Sequence, residues 1–459
     1  MNSDTLSEFR GDLYACFCKA GDALMNLADA LLTETPAQSL PELALSPFFE
    51  RQWSSLYEAL QDAKIDRGAL QKLFAKYAPL PPKGERLVLG GDASSILRVC
   101  SKTGKDRTYV HASNLPEGTK PVRAGWQFST LVVLPETNSS WTYVLDNRRI
   151  KSEDTQASVM ATQLQEALPR LPATRGANHA AHSRPLWLGD GYYGSAVFLA
   201  LVADLPCDFL IRLAKNRVLY REPPEEAPRP GHPTWHGERF ACHDPKTQGE
   251  PDASWEGEGK NGKQIEVACW HRLHFAKARQ AQLTVIRVTR HAAADTKRDP
   301  KVSWFLFRGV TRPPLQTVSP LYGRRYSAEH GYRVDKQDLL WETPRLRTPE
   351  QFQHWTDVVA CVRNQLVLAR PFATALRQAW ESRRREPTPQ QVRRCMGRII
   401  AGLGTPARPC QPRGYSPGWT PGRVRKAAPT YPVVYKAAVK PPKGRKRRRK
   451  RTKRVALVA

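Results

Sequence analysis

A chain of 459 residues with 40% apolar content and twelve tryptophans has the material for a core and for two to four domains, which excludes wholesale disorder. Its formal charge of +29 calls for a polyanionic partner, but the excess is local: from Pro387 to Ala459 there are 20 Lys and Arg and no Asp or Glu. No apolar run approaches the roughly 18 residues of a membrane span. The start lacks a basic-then-apolar leader. Nine scattered cysteines without a CxxC pair read as reduced thiols of a cytoplasmic protein.

In chain order, "LYACFCKAGDALMNLADALL" and "QWSSLYEALQDAKIDRGALQKLFAKYAPL" repeat apolar residues at three-to-four spacing, predicting a helical region over 1–83 for DNA binding or dimerisation. "PLPPKGE" at 79–85 punctuates it. The strand "RLVLGG", ending at Asp92, is followed by strands in "RTYVHAS", "WQFSTLVVLP" and "SWTYVLDNRRI", and then by a helix over 152–169 with Ser152 as its candidate cap. "PLWLGDGYYGS" is a short apolar strand stopping at Asp190; "AVFLALVADL" reads as a helix and "CDFLIRLAKN" as the next strand. This alternation predicts an α/β layer with some parallel pairing over 84–219. Residues 220–310 read as a β-rich insertion carrying "LTVIRVTR" and "VSWFLFRG". Helices over 319–341 and 348–380 complete the core within 311–380. Residues 381–459 are a Pro/Gly-rich and then basic region, expected to be disordered in isolation.

Asp92 and Asp190 each end an apolar strand and precede a turn, the place where ligands gather in α/β sheets. With a third carboxylate from a helix they would offer the oxygen ligands that Mg²⁺ or Mn²⁺ prefers. Turn chemistry explains either aspartate alone, because Asx side chains bond nearby backbone. Asp106, Asp146 and Asp204 are rival acids, the last two read as turn or cap residues.

"YGRRYSAEHGYRVDK" at 322–336 sets a lone acid among cations. Tyr322, Arg325, Glu329 and Lys336 fall within about 60° of one another on a helix turning about 100° per residue. A solvated face with an Arg325–Glu329 pair fits the same spacing. Ser319-Pro320 is one possible helix start and Ser327 another.

The stretch Tyr322-x2-Arg325-x3-Glu329-x6-Lys336 resembles the Y-x2-R-x3-E-x6-K signature of bacterial insertion-sequence DDE transposases, and the order Asp92, Asp190, insertion, Glu329 fits the same family. The resemblance covers roughly 85–345. It implies an RNase H-like mixed sheet flanked by helices, a metal triad of Asp92, Asp190 and Glu329 holding two Mg²⁺ or Mn²⁺ ions, and cleavage and transfer of DNA strands. It implies Tyr322, Arg325 and Lys336 as phosphate contacts, where flanking cations offset the repulsion between an acidic triad and a phosphodiester. It also implies terminal inverted repeats and target DNA as partners, a homodimer in the synaptic complex, and a nucleoid-associated place in a bacterial cytoplasm. Hairpin-forming members of the family stack a flipped base on a tryptophan of the insertion; Trp304 is the best match here and Trp270 the next, while core packing explains Trp304 as well, because its neighbours in "VSWFLFRG" are all apolar.

Other features are weaker. His271 and His274 in "HRLH" have no Cys or acid at a convincing spacing for zinc, and His330 adjoins Glu329. There is no phosphate-binding GxxxxGK[ST]. Tyr192 and Tyr193 lack the Arg/His cluster a tyrosine recombinase needs. The run "KGRKRRRKRTKR" at 443–454, including Arg447, Arg448 and Arg449, has ten Lys and Arg in twelve residues and should bind phosphates in a salt-dependent way. Arg423, in "PRGYSPGWTPGRVRK", suits a minor groove although Val424 breaks the usual Gly-Arg-Pro core. The competing reading is a catalytically silent DNA-binding protein that works through this tail and the N-terminal helices.

Overall fold

The computed structural model describes residues 3–436 other than 83, 113–114, 117, 137–138, 172–183, 224–234, 260–261, 292, 295, 297–299, 383–384, 413–417, 419 and 425–426. The basic run with Arg447, Arg448 and Arg449, and the disorder expected of it, lie outside the described residues.

The N-terminal helices are α1 (Ser3–Cys16), α2 (Gly21–Thr33), α3 (Leu40–Leu43), α4 (Trp53–Asp62) and α5 (Arg67–Lys76). Short strands β1 (Phe17–Lys19) and β2 (Lys64–Ile65) interrupt them and pair antiparallel. The interruption at β1 leads into Ala20 in the left-handed region, φ 60°, so the first periodic stretch is two helices rather than one. Residues Leu24–Leu32 are buried all round, as expected of a helix surrounded by others.

The central strands are β3 (Val88–Leu97), β4 (Thr108–His111), β5 (Val122–Val133) and β6 (Tyr143–Ile150), followed by α6 (Gln156–Ala167), β7 (Leu186–Gly189), α7 (Ala196–Leu201) and β8 (Asp208–Leu213). β3 pairs antiparallel with β5, and β5 with both β4 and β6. β7 joins the other side of β3 in parallel, and β8 joins β7 in parallel. An antiparallel set followed by two parallel strands reached through helices is an RNase H-like fold.

The strands β9 (Val218–Tyr220), β10 (Arg239–Ala241), β11 (Ala253–Glu258), β12 (Gln264–Phe275), β13 (Ala278–Arg290) and β14 (Val302–Arg308) continue the same sheet. β14 pairs with β8, and β13, β12, β9 and β10 follow outward, with β11 beside β12, so the sheet has 12 strands. The edge that β8 would otherwise expose is thereby covered.

Helices α8 (Leu315–Gly323) and α9 (Tyr326–Arg333), a π-helical turn at Val334–Asp338, α10 (Pro349–Ala375) and α11 (Pro389–Leu403) complete the chain. Thr348 and Gln351 form a capping box that starts α10. α10 is buried on nearly every side because it lies between β6 and the N-terminal helices. The buried Arg10 ties three of these helices together, bonding Asp29 of α2 at 2.6 Å and Gln365 of α10 at 2.9 Å.

Four local expectations are corrected. β3 does not end at Asp92 but runs on to Leu97, because its antiparallel ladder with β5 continues to Leu97 opposite Gly125. α6 is capped by Thr155, in a capping box with Ser158, and not by Ser152. The helix expected over 319–341 is broken between α8 and α9, and neither Ser319 nor Ser327 caps either piece; Pro320 lies inside α8. α11 lies in the region read as basic and irregular; it buries Val392, Met396, Ile399 and Ile400, and its Arg393 donates to the Leu31 and Glu34 carbonyls.

Candidate active site

The parallel ladder of β3 and β7 sets Val88 opposite Leu186 and Gly90 opposite Leu188. The same offset carried on by two residues brings Asp92 level with Asp190, the first residue past β7. Asp92 is therefore mid-strand on its β5 side, yet it lies beyond the ladder on its β7 side. The chain passes close to the core just before it: a Cβ on Gly91 would lie 2.5 Å from the Met160 methyl and 3.0 Å from the Trp187 ring. Asp190 makes an Asx contact, accepting from the Tyr192 amide at 3.0 Å, so the turn role read from its sequence is realised.

Helix α9 brings the third acid. Arg325, in the tight turn between α8 and α9, donates to Asp92 Oδ2 at 3.3 Å and to Glu329 Oε1 at 2.7 Å. One guanidinium thus joins an acid of β3 to an acid of α9. The side chains are 26%, 15% and 47% exposed for Asp92, Arg325 and Glu329, a recess open to solvent. Burial pushes the Asp92 carboxyl up to about 6; Arg325 opposes this, and the nearby Asp190 and Glu329 charges add to it. Burial also works against the Arg325 cation, but Tyr322, Asp92, Glu329 and Asp190 outweigh it and hold the proton more firmly than usual.

Two tyrosines seat the helices over the strand ends. The Tyr322 hydroxyl donates to the Gly189 carbonyl at 3.2 Å, one residue before Asp190, and its ring packs on Phe305. The Tyr332 hydroxyl donates to the Asp92 carbonyl at 2.8 Å, and its ring stacks on Trp341. Tyr332 was missed from the sequence, although its place three residues after Glu329 puts it one helical turn along. Lys336, in the π-helical turn, lies 3.1 Å from Glu342 and 3.5 Å from the Ser95 carbonyl, further along β3 from the acids.

The remaining candidates lie elsewhere. Trp304 is 5% exposed and packs against Trp270 and Phe240, which corrects the expectation of a base-stacking platform: β14 lies between β8 and β13, and both faces of its middle are covered. Trp270 is buried in the same cluster. Arg423 is on an exposed turn, its amide bonded to the Thr420 carbonyl. Asp146 is buried in β6 and paired with Arg67 and Arg148, and Asp106 is paired with Arg149. Tyr193 is sealed among Trp187 and Phe198, out of reach of a phosphate. His274 meets His236 at 2.9 Å while His271 faces Arg312, so the two histidines of "HRLH" diverge. His330 packs on the Tyr326 ring. Among the described residues no three His, Cys, Asp or Glu side chains are drawn together as metal ligands; in the acidic trio, Arg325 bonds two of the three members.

An RNase H-like sheet that carries recessed acids where its parallel ladder ends has the architecture of a nuclease. The chain belongs to the DDE superfamily endonuclease family, whose profile matches residues 12–274. The match includes Asp92 and Asp190 and stops before Glu329. No curated protein matches the chain. Endonucleases of this superfamily act on DNA and use divalent metals. Among the described residues no helix is long and apolar enough to cross a membrane.

Proposed function

We propose that the chain is a DNA transposase that cleaves and joins strands at the ends of an insertion-sequence element, with Asp92, Asp190 and Glu329 as its metal-holding acids. The observation that carries this reading is the link from Asp92 through Arg325 to Glu329, with Asp190 level with Asp92 on the neighbouring strand. The donor set fits a hard cation: three carboxylates stand against one guanidinium, which bonds two of them, and the Asp190 and Glu329 charges add to the rise of the Asp92 carboxyl. Two Mg²⁺ or Mn²⁺ ions bound there would supply activation of a water or 3′-hydroxyl and stabilisation of the leaving oxygen.

The chain's own residues have separate tasks. Tyr322 and Tyr332 fix the acids by holding the backbone at Gly189 and Asp92. Arg325 keeps Asp92 and Glu329 from repelling each other and, with Lys336, offers charge to a phosphodiester. The terminal inverted repeats and target DNA are the substrates of this reading, and a homodimer in the synaptic complex and a place at the bacterial nucleoid belong to it.

The test is Glu329→Gln in the full chain. It should keep duplex binding and lose Mg²⁺-dependent nicking of element-end DNA; unchanged nicking would remove Glu329 from the site. The second reading, a silent DNA-binding protein, is favoured by the Arg325 bonds that engage two of the acids, and it requires that Mg²⁺ and Mn²⁺ leave thermal unfolding unshifted.

A further inference from the structure

The sheet ends at β4, an edge strand that shares the outer side of β5 with β6. That edge is occupied by the last described residues of the chain. Val434 forms a parallel bridge to Thr108, and its amide donates to the Arg107 carbonyl at 2.7 Å. The Tyr431 amide donates to the Lys102 carbonyl at 2.8 Å, and the Tyr431 carbonyl accepts from the buried Arg107 guanidinium at 2.9 Å. The Tyr435 and Tyr109 hydroxyls meet at 3.2 Å, and Lys436 donates to the Asp154 carbonyl at 2.9 Å. Five ties over six residues make this a docked segment and not a passing contact.

The basic run beyond this segment gives the docking its use. Its ten cations begin at Lys443, seven residues after Lys436. Fully extended at about 3.3 Å per residue, the chain from Lys436 reaches about 23 Å at Lys443 and about 59 Å at Arg454. The bridged segment runs parallel to β3, so from Asp92 to the level of Lys436 is seven residues along, about 24 Å, and three strand spacings across, about 14 Å, or about 28 Å in a straight line. Past the end of β3, on the tail's side of the sheet, lies a cleft lined by Leu97, Val99, Ser101, Arg345 and Arg347, with both arginines exposed. The basic run is therefore rooted where its own length spans the distance to the acids.

We propose that Thr430–Lys436 is a strap that pairs with the β4 edge to fix the root of the basic tail on the catalytic sheet, making the tail a tethered arm for the same DNA that the acids engage. The arm rests on the reading of the chain as a DNA transposase. Freed from β4, the tail would be rooted further back, toward Arg408, which is tied to Asp22 and Arg51. A tether lengthened from seven residues to between about 20 and 35 lowers the effective concentration of the arm roughly fivefold to tenfold, following the −3/2 power of length.

Val434→Pro tests this in the full chain, because it removes the amide that bonds Arg107 without changing any charge. Hydrogen exchange should show the Tyr431 amide protected in the parent and released in the variant, with β3 unchanged in both. Binding to a fluorescein-labelled random-sequence duplex should weaken roughly fivefold to tenfold. In a chain carrying Arg447→Gln, Arg448→Gln and Arg449→Gln, the added Val434→Pro should change affinity less than twofold. Released amides with no loss of affinity, or the same loss in both backgrounds, would overturn the arm while leaving the DNA reading intact. If the triple glutamine chain binds duplex as tightly as the parent, it is the DNA reading of the tail that fails, and the arm with it.

Discussion

Two acid–arginine clusters flank helix α9. On one side Asp335 meets Arg363 of α10 at 2.7 Å, with side chains 3% and 5% exposed. On the other, Asp92 and Glu329 share Arg325 in an open recess, with Asp190 close enough to add its charge. Burial pushes Asp92 and Asp335 alike up to about 6, so a raised carboxyl does not separate them. Charge balance and access do. A sealed pair with one cation per acid is neutral as it stands, although Asp335 Oδ1 and Arg363 Nη2 are buried without hydrogen-bond partners, whereas an open cluster with surplus negative charge has room and charge for added cations.

The largest effect that would break this comparison is on the sealed side. Arg363→Met should destabilise the fold by about 3–5 kcal/mol in urea unfolding, because Asp335 is left buried and uncompensated. A loss below about 1 kcal/mol would mean that the pair is not a closed structural unit.

On the open side the expected sign is opposite. An acid whose carboxyl is raised in the fold binds its proton more tightly there than in the unfolded chain. Its favourable contribution is present at low pH and is lost as pH rises from the ordinary aspartate value of 3.8 through about 6. Asp92→Asn should therefore stabilise the metal-free protein at pH 8 by on the order of 1–2 kcal/mol, with the gain vanishing below about pH 4. Asp335→Asn should give no such gain, since it strands Arg363. Melting curves of both variants at pH 4 and pH 8 sharpen the contrast; destabilisation by Asp92→Asn at pH 8 would make the two clusters alike.

The third test adds the cation. Mg²⁺ or Mn²⁺ at ten times its dissociation constant should stabilise the parent by about 1.4 kcal/mol. Asp92→Asn and Glu329→Gln should lose most of that shift, and Arg363→Met, if it folds, should keep it.

How much of this was legible in the sequence depends on the range of the interactions. The apolar alternation of β5, β6 and β14 and the short run of β7 are local signals, and they read correctly. Asp92 and Asp190 were legible as acids on apolar strands, because a carboxylate there is conspicuous against its neighbours. That β3 continues past Asp92 was not, since "ASSIL" becomes a strand only by pairing with β5, and that partner is set by the whole sheet. Trp304 allowed both base stacking and core packing from its apolar neighbours, and the core reading is realised only through partners far away in sequence, Phe240 and Trp270. α11 was overlooked in a region dominated by charge, although Thr388-Pro389 and the spacing of Val392, Met396, Ile399 and Ile400 marked it. Tyr332 was missed because the role of a hydroxyl that bonds a distant backbone carbonyl leaves no periodic trace.

That hydroxyl supplies the smallest and most discriminating test. Tyr332→Phe keeps the ring on Trp341, centroids 6.0 Å apart and planes within 6°, and removes only the donor to the Asp92 carbonyl. The loss in unfolding free energy should be about 1 kcal/mol, the usual net worth of one hydrogen bond. If Tyr332 serves by holding the Asp92 backbone, Tyr332→Phe should weaken the apparent Mn²⁺ affinity read from the melting shift without abolishing it, because all three carboxylates remain. Full loss of the shift would place Tyr332 among the groups that act on the cation directly. An unchanged Mn²⁺ affinity with the stability lost would put its contribution on the packing of α9, the same side of the comparison as Arg363.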